Sequence, residues 1–321
     1  MAGSDLLLRA DELGVSHVDG RGHGKALVRG VSLTLHAGEV LCVLGESGAG
    51  KSLLAHALIQ IPPADGIRFE GRVYYRDVEL SALSERRLRT WWGRRITLLF
   101  QDASRALHPR WRIGAQLEAL CDHFEVQASV EALLDEVGLD GRRAGSLYPF
   151  ELSGGMRQLA YLAMGLACPA RVLLLDEPTS AMDLLTRDRV IALLDRHRRA
   201  GDRAMMIITH DVEFCCRLAD RIMIMYRGAI VEDARPRNGF LHPYSRRLMY
   251  CREALRGRTH ARPVVRPEEE GGREERGGNG CPYAPSCPEA DEQCREQTPP
   301  LRDMGDGHRI ACHHPLNGQR E

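Results

Sequence analysis

The residues best suited to chemistry lie in one glycine-rich stretch, Gly45-Glu46-Ser47-Gly48-Ala49-Gly50-Lys51-Ser52. The apolar segment EVLCVL precedes it and the helical pattern SLLAHALIQ follows, which is the strand, loop and helix order of a phosphate-binding loop. Glycines let several backbone N–H groups point at one anion, and the start of a helix adds partial positive charge. Lys51 is one of only two lysines in the chain. We therefore predict that this phosphate loop binds a nucleotide, with Lys51 on the β- and γ-phosphates and Ser52 on Mg²⁺.

A second apolar run, RVLLLDE, ends in two adjacent carboxylates, Asp176 and Glu177. A buried strand that brings acids to its carboxyl end suits a metal-assisted reaction. We predict that Asp176 holds Mg²⁺, directly or through water, and that Glu177 orients and deprotonates an attacking water.

The segment LSGGMRQ, over 152–158, starts a predicted helix with small residues. By the same helix-dipole argument, Ser153, Gly154 and Gly155 form a second cradle for an anion.

Three further polar residues complete the set: Gln101 after ITLLF, Asp183 at the end of SAMD and His210 at the end of MMIITH. With these residues the sequence resembles the nucleotide-binding subunits of ABC transporters over residues 10 to 250. LSGGMRQ is similar to their signature motif, FQD to their Q-loop, SAMD to their D-loop and His210 to their switch histidine. The resemblance implies an α/β fold, a P-loop NTPase core of the ABC ATPase type with a helical subdomain.

The resemblance also implies a head-to-tail dimer of nucleotide-binding domains. ATP bound at Lys51 of one subunit would be capped by the cradle at 153–155 of the other. Gln101 would sense Mg²⁺ and the γ-phosphate, His210 would contact the γ-phosphate and the water, and Asp183 would communicate across the interface.

The family usually stacks an aromatic residue on adenine shortly before the phosphate loop. The aligned position here is His17, in LGVSHVDG. An imidazole stacks with less buried area than Tyr or Phe. The alternative is an exposed loop histidine without a ligand.

Four cysteines lie close to the end of the chain: Cys281, Cys287, Cys294 and Cys312. The gaps between them, of 5, 6 and 17 residues, differ from the paired spacing of a zinc ribbon. Four thiolates are nevertheless a sensible ligand set for iron–sulfur or zinc. The tail resembles one that carries a 4Fe-4S cluster in peptide importers; zinc and unligated thiols stay open as alternatives.

Short apolar runs at 39–44, 96–100, 172–175 and 205–209 predict strands, with helical patterns between them. This alternation predicts a mostly parallel sheet covered by helices, with a helical insert at about 104–165. Residues 256–280 are rich in Arg, Glu, Gly and Pro and read as a flexible linker. The predicted domains are therefore 1–255, the ATP-binding domain, and 281–321, a cysteine-rich C-terminal segment.

The composition narrows the function. The 44 basic and 44 acidic residues give a net charge of zero, which argues against a nucleic-acid partner. The longest uncharged apolar stretch is shorter than the ~20 residues of a spanning helix. No secretory signal is recognisable at the N-terminus, so we expect the chain to lie in the cytosol. The resemblance to ABC transporter subunits implies a peripheral protein on the cytoplasmic side of the inner membrane.

The segments YPFELSGGMRQ, FQDASRALHP and HPYSRRLM resemble the dipeptide, oligopeptide and nickel importers. We expect an ATPase subunit that powers di- or oligopeptide uptake with a second ATPase subunit, two permeases and an extracytoplasmic solute-binding protein. Uptake of nickel or a metal chelate is the first alternative. A soluble ABC ATPase that acts on nucleic acid or ribosomes, and an assembly protein outside transport, are the others.

Overall fold

The structure, a computed structural model, describes residues 5–180, 182–255 and 280–316. The predicted linker at 256–280 therefore lies outside the described residues except for Gly280. Among the described residues, no helix combines the length and the apolar character needed to cross a bilayer.

The strands are β1 (Leu6–Val18), β2 (Gly24–His36), β3 (Val40–Leu44), β4 (Ile67–Tyr75), β5 (Val78–Glu79), β6 (Ile96–Leu99), β7 (Val172–Asp176), β8 (Ala204–Thr209), β9 (Arg221–Tyr226), β10 (Ala229–Ala234), β11 (Arg302–Asp303) and β12 (Arg309–Ile310). The helices are α1 (Lys51–Leu58), α2 (Glu85–Leu88), α3 (Ala103–Ala106), α4 (Ile113–Phe124), α5 (Val130–Glu136), α6 (Gly141–Ser146), α7 (Gly154–Ala167), α8 (Leu184–Ala200), α9 (Val212–Leu218), α10 (Pro243–Leu255) and α11 (Glu292–Glu296).

The larger sheet has the strand order β11-β12-β10-β9-β3-β8-β7-β6. Its five strands from β9 to β6 are parallel, and β10 to β12 continue it in antiparallel fashion. Every residue of β3, β7 and β8 is buried, because side chains pack on both faces of a parallel sheet. The four strands predicted from apolar runs are confirmed as β3, β6, β7 and β8.

A second sheet, β2-β1-β4-β5, is antiparallel throughout. The sequence prediction of a mostly parallel sheet missed it. Register shifts interrupt the pairing of β1 with both neighbours, so its buried positions do not alternate regularly. A bulged strand loses the period of two by which strands are recognised.

Between β6 and β7 the chain forms α3 to α7, in the region where the sequence predicts a helical insert. Apolar residues of these helices pack into the same core cluster as β7 and β8. The helices that carry the signature segment are thereby fixed to the parallel sheet.

The described part of the cysteine-rich segment, residues 281–316, is joined to the ATPase core by its own strand, β12. β12 pairs antiparallel with β10, with Ile310 opposite Glu232 and Arg309 opposite Asp233. The sequence prediction of a separate tail contained no sign of this extension of the sheet, since a two-residue strand has no period to detect.

Candidate active site

Four predicted site segments follow neighbouring parallel strands. The phosphate loop follows β3, Glu177 follows β7, His210 follows β8 and Gln101 follows β6. Because the strands are parallel, their carboxyl ends meet at one edge of the sheet, where open α/β sheets bind ligands.

The phosphate loop is shaped by close backbone packing. A Cβ at Gly45 would lie 2.3 Å from the carbonyl oxygen of Met225, and Gly50 has a φ of 102° as the N-cap of α1. Both positions therefore require glycine. Lys51 begins α1, and its Nζ donates to the carbonyl oxygens of Gly45 at 2.8 Å and Glu46 at 2.9 Å.

Lys51 and two acids form a buried group of charges. Lys51 is 7% exposed, Asp176 6% and Glu177 7%. Burial lowers the pKa of Lys51, and the negative charges of Glu177 and Asp176 oppose this shift. The edge of the sheet thus holds opposite charges in a poorly solvated place, where they act strongly on a ligand.

Asp176 fits the role of a cation ligand. Burial raises the pKa of this carboxyl, and a hydrogen bond from the Ser52 hydroxyl opposes the rise. Its Oδ1 is buried, and within the part of the chain that the structure describes no hydrogen-bond donor reaches it. An oxygen left over beside a serine hydroxyl suits Mg²⁺, which takes oxygen ligands.

Glu177 is held in a defined orientation. Its backbone has a positive φ of 50°, and its N–H donates to the carbonyl oxygen of Ile208 at 2.8 Å. One carboxylate oxygen lies 2.7 Å from Nδ1 of His210, and the other accepts from the Thr209 hydroxyl at 3.3 Å. Sequence reasoning identified the acid and the histidine but missed Thr209, which is read only as the last residue of β8.

The signature segment lies at the surface. Ser153 is the N-cap of α7 and accepts from the N–H of Met156 at 3.3 Å; it and Gly154 are exposed, and Gly155 is partly exposed. Gln158, in the same helix, donates through Nε2 to the carbonyl oxygen of Glu177 at 3.5 Å. Helix α7 therefore contacts the predicted base, Glu177, while the N-terminus of the helix is exposed to solvent.

The remaining candidates are exposed. Gln101 is exposed after β6. Asp183 is the N-cap of α8, and its carboxylate accepts from both the N–H and the hydroxyl of Thr186. His17 is exposed, as the alternative of an exposed loop histidine predicts. Its backbone does not form a loop, because it lies in β1 opposite Ile67 of β4.

The four tail cysteines line one pocket, together with Tyr283 and His242. Burial raises the pKa of each thiol, for Cys312 to about 11. Neutral thiols must lose protons when a metal binds.

Comparisons with known proteins decide the family. The family model for ABC transporters matches residues 28–180, and that for the oligopeptide/dipeptide transporter C-terminal region matches residues 237–294. A probable peptide ABC transporter ATP-binding protein of Sinorhizobium fredii, y4tR, is 36% identical over 96% of this chain and 95% of its own. The oligopeptide transport ATP-binding protein OppD of Salmonella typhimurium is 33% identical over 98% of this chain and 95% of its own. The chain belongs to the ATP-binding subunits of peptide ABC transporters.

As a member of this family the protein is an ABC ATPase, and the predicted fold class is confirmed. Its fold is similar to that of the ATP-binding cassette MJ0796, solved as a dimer in a post-hydrolysis state with ADP and Pi. That structure aligns with a TM-score of 0.63 and 23% identity, over 73% of this chain and all of that one. The names of these peptide transporters favour the peptide interpretation over the nickel alternative.

Proposed function

We propose that this chain hydrolyses ATP at the cytoplasmic face of the inner membrane to power the uptake of di- and oligopeptides. The observation that carries the proposal is the buried group of Lys51, Asp176 and Glu177 at one edge of a parallel sheet, in a member of the peptide-transporter branch.

Binding begins at the phosphate loop. Backbone N–H groups at the start of α1 would donate hydrogen bonds to the phosphate oxygens. Lys51, held by the carbonyl oxygens of Gly45 and Glu46, would present its charge to the β- and γ-phosphates. Ser52 and Asp176 would hold Mg²⁺, with Gln101 approaching it when nucleotide is bound. The ion supplies positive charge that neutralises the phosphate oxygens during transfer.

Hydrolysis requires a base for the attacking water. The Glu177 carboxylate would take a proton from the water whose oxygen bonds to the γ-phosphorus. The bond between that phosphorus and the β–γ bridging oxygen breaks, so ADP leaves with the bridging oxygen and inorganic phosphate is formed. Nδ1 of His210, 2.7 Å from a Glu177 oxygen, would hold that carboxylate and contact the γ-phosphate of bound nucleotide. A positioned base of this kind contributes about 10² to 10⁴ in rate.

A second ATPase subunit would complete each site. The cradle at 153–155 lies at the surface, at the N-terminus of α7. Leu184 and Leu185, beside Asp183, are 68% and 75% exposed. Two large apolar side chains in water favour burial against a partner. In a head-to-tail dimer the cradle of one subunit would cap ATP on the other, and His17 would stack on adenine.

The complex would also contain two permeases and an extracytoplasmic solute-binding protein. The test is ATPase activity of the reconstituted complex in membranes, with the binding protein loaded in turn with dipeptides, oligopeptides or nickel. We expect stimulation by peptides alone. Stimulation by nickel, or none by any solute, would contradict the peptide assignment.

We also propose that Cys281, Cys287, Cys294 and Cys312 bind a 4Fe-4S cluster. A tetrahedral zinc site places its sulfur ligands about 3.8 Å apart, given Zn–S bonds of ~2.3 Å. Within the described ranges, the one group of three or more metal-binding side chains whose ligand atoms all lie within 4.8 Å of one another is Asp291, Cys294 and His314. Among the described residues, no three of the four thiols therefore lie within 4.8 Å of one another, although all four line one pocket. This arrangement favours a polynuclear cluster over a single zinc ion.

Iron, sulfide and zinc analysis of anaerobically purified protein tests this assignment, together with its visible absorption spectrum. Iron and sulfide in equal amounts are expected. Bound zinc, or metal-free protein, would overturn it.

A further inference from the structure

The phosphate loop is held from outside by a tyrosine far away in sequence. The backbone N–H of Glu46 donates to the hydroxyl oxygen of Tyr244 at 3.1 Å, across a separation of 198 residues. Tyr244 is the second residue of α10 and is completely buried. The nucleotide mechanism described above makes no use of this residue.

The contact fixes one particular peptide group. The carbonyl oxygen of Gly45 and the N–H of Glu46 belong to the same peptide plane. Lys51 holds the carbonyl side at 2.8 Å, and Tyr244 holds the N–H side. Since a peptide group is planar, fixing its N–H fixes the direction of the carbonyl that orients Lys51.

Tyr244 is itself packed between the ATPase core and the cysteine-rich segment. Its ring centroid lies 4.6 Å from that of Tyr226, the last residue of β9, and 5.4 Å from that of Tyr283. Tyr283 also lines the cysteine pocket. A change in the cysteine-rich segment that moves Tyr283 is therefore passed through one ring contact to Tyr244, whose hydroxyl contacts the phosphate loop.

A buried carboxylate fixes the start of the same helix to the same segment. Glu232, which is 0% exposed, accepts from the backbone N–H groups of Leu241 and His242 at 2.7 and 3.1 Å. Nε2 of His308, in the cysteine-rich segment, lies 2.7 Å from the same carboxylate. The position of Tyr244 thus depends on the cysteine-rich segment at two points.

We propose that Tyr244 is a positioning residue for the phosphate loop, and that the cysteine-rich segment acts on nucleotide affinity through its hydroxyl. The proposal rests on the proposed ATPase function. Without the hydroxyl, the peptide at Gly45 gains freedom to rotate, because glycine has no Cβ to resist it. Lys51 then loses a fixed acceptor, and nucleotide binding weakens.

The first test compares Tyr244→Phe with Tyr75→Phe in the full chain. Both tyrosines are buried, but Tyr75 lies in β4 against Trp91, away from the cysteine-rich segment. We expect Tyr244→Phe to raise the Kd for MgATP about 2- to 10-fold, the range for one lost hydrogen bond. In the assembled complex the KM for ATP rises with kcat unchanged, since the hydroxyl does not touch the attacking water. Tyr75→Phe is expected to leave both values as they are.

The second test is a double-mutant cycle with Tyr283→Ala, which removes the supporting ring and keeps the Tyr244 hydroxyl. We expect Tyr283→Ala to weaken MgATP binding in the wild-type background and to have no further effect in Tyr244→Phe. Equal effects in both backgrounds would overturn the route through the hydroxyl, as would unchanged affinity in Tyr244→Phe. Thermal unfolding of each variant checks that it is folded.

MgATP binding by the wild-type chain distinguishes failure of the proposed ATPase function from failure of the proposed role of Tyr244. If the wild-type chain binds no MgATP, alone or in the complex, the proposed function is wrong. If it binds MgATP and the tyrosine variants behave as wild type, only this inference is wrong.

Discussion

The nucleotide edge of the sheet and the cysteine pocket differ in the charge of their side chains. At the edge, Lys51, Asp176 and Glu177 are buried charges that already oppose one another. In the pocket, burial raises the pKa of all four thiols, so these groups are neutral at pH 7. Electrostatic attraction between charged side chains therefore characterises the nucleotide edge, and the packing of neutral side chains characterises the cysteine pocket.

The largest effect is expected from Glu177→Gln, which removes the proposed general base of the charged region. The glutamine side chain has the same shape as glutamate, and its carbonyl oxygen can still accept hydrogen bonds. It cannot take a proton from water. We expect steady-state ATP hydrolysis in the assembled complex to fall at least 100-fold while MgATP binding persists. Glu292→Gln, an exposed acid in α11 of the cysteine-rich segment, is the matched control. Surviving turnover in Glu177→Gln would assign the base to another residue.

Loss of the buried cation comes next. Lys51→Ala removes the charge that we propose contacts the phosphates. Since hydrogen bonds to charged groups are worth about 1.5 to 3 kcal/mol, we expect a loss of roughly 10- to 100-fold in MgATP affinity. The chain has a natural control, because its other lysine, Lys25, is exposed in β2. Equilibrium binding of MgATP to Lys51→Ala and Lys25→Ala measures the difference. Equal affinities in the two variants would contradict the role of Lys51.

The stability of the region around the cysteine pocket is expected to fall at acidic pH. Burial lowers the pKa of His242 to about 4, and its Nδ1 accepts from the N–H of Tyr244 at 3.1 Å. A histidine whose folded pKa lies below its unfolded value costs stability as pH falls from about 6.5 towards 4, because the unfolded chain takes up the proton first. We expect a loss of about 2 kcal/mol in the free energy of unfolding between pH 7 and pH 5.

Denaturant unfolding at the two pH values measures this loss. His242→Gln cannot titrate and is expected to flatten the acid dependence, whereas His23→Gln, at an exposed turn, keeps it. An unchanged pH dependence in His242→Gln would show that other groups cause it.

The smallest expected effect on catalysis comes from the pocket itself. Cys287→Ser removes a buried thiol and is expected to abolish iron binding, while kcat for ATP hydrolysis at saturating MgATP changes less than about threefold, since no tail cysteine lies at the nucleotide edge. Cys121→Ser, in α4, serves as the control for loss of a buried thiol outside the pocket. Iron content and ATPase rate are measured on the same samples. Iron retained in Cys287→Ser would remove this residue from the ligand set.

The sequence by itself determined what is local. A glycine-rich loop between an apolar strand and a helix, or two acids at the end of an apolar run, needs only a few neighbouring residues to be recognised. That is why β3, β6, β7 and β8 were predicted within about two residues, together with the residues at their carboxyl ends.

Only the tertiary structure decided which distant residues meet. The antiparallel sheet escaped prediction because bulges remove its alternation. The hydroxyl of Tyr244 reaches Glu46 across 198 residues, and β12 joins β10 through two residue pairs. Such contacts have no sequence period, since they arise from the packing of the whole core, and packing depends on shape rather than on spacing along the chain.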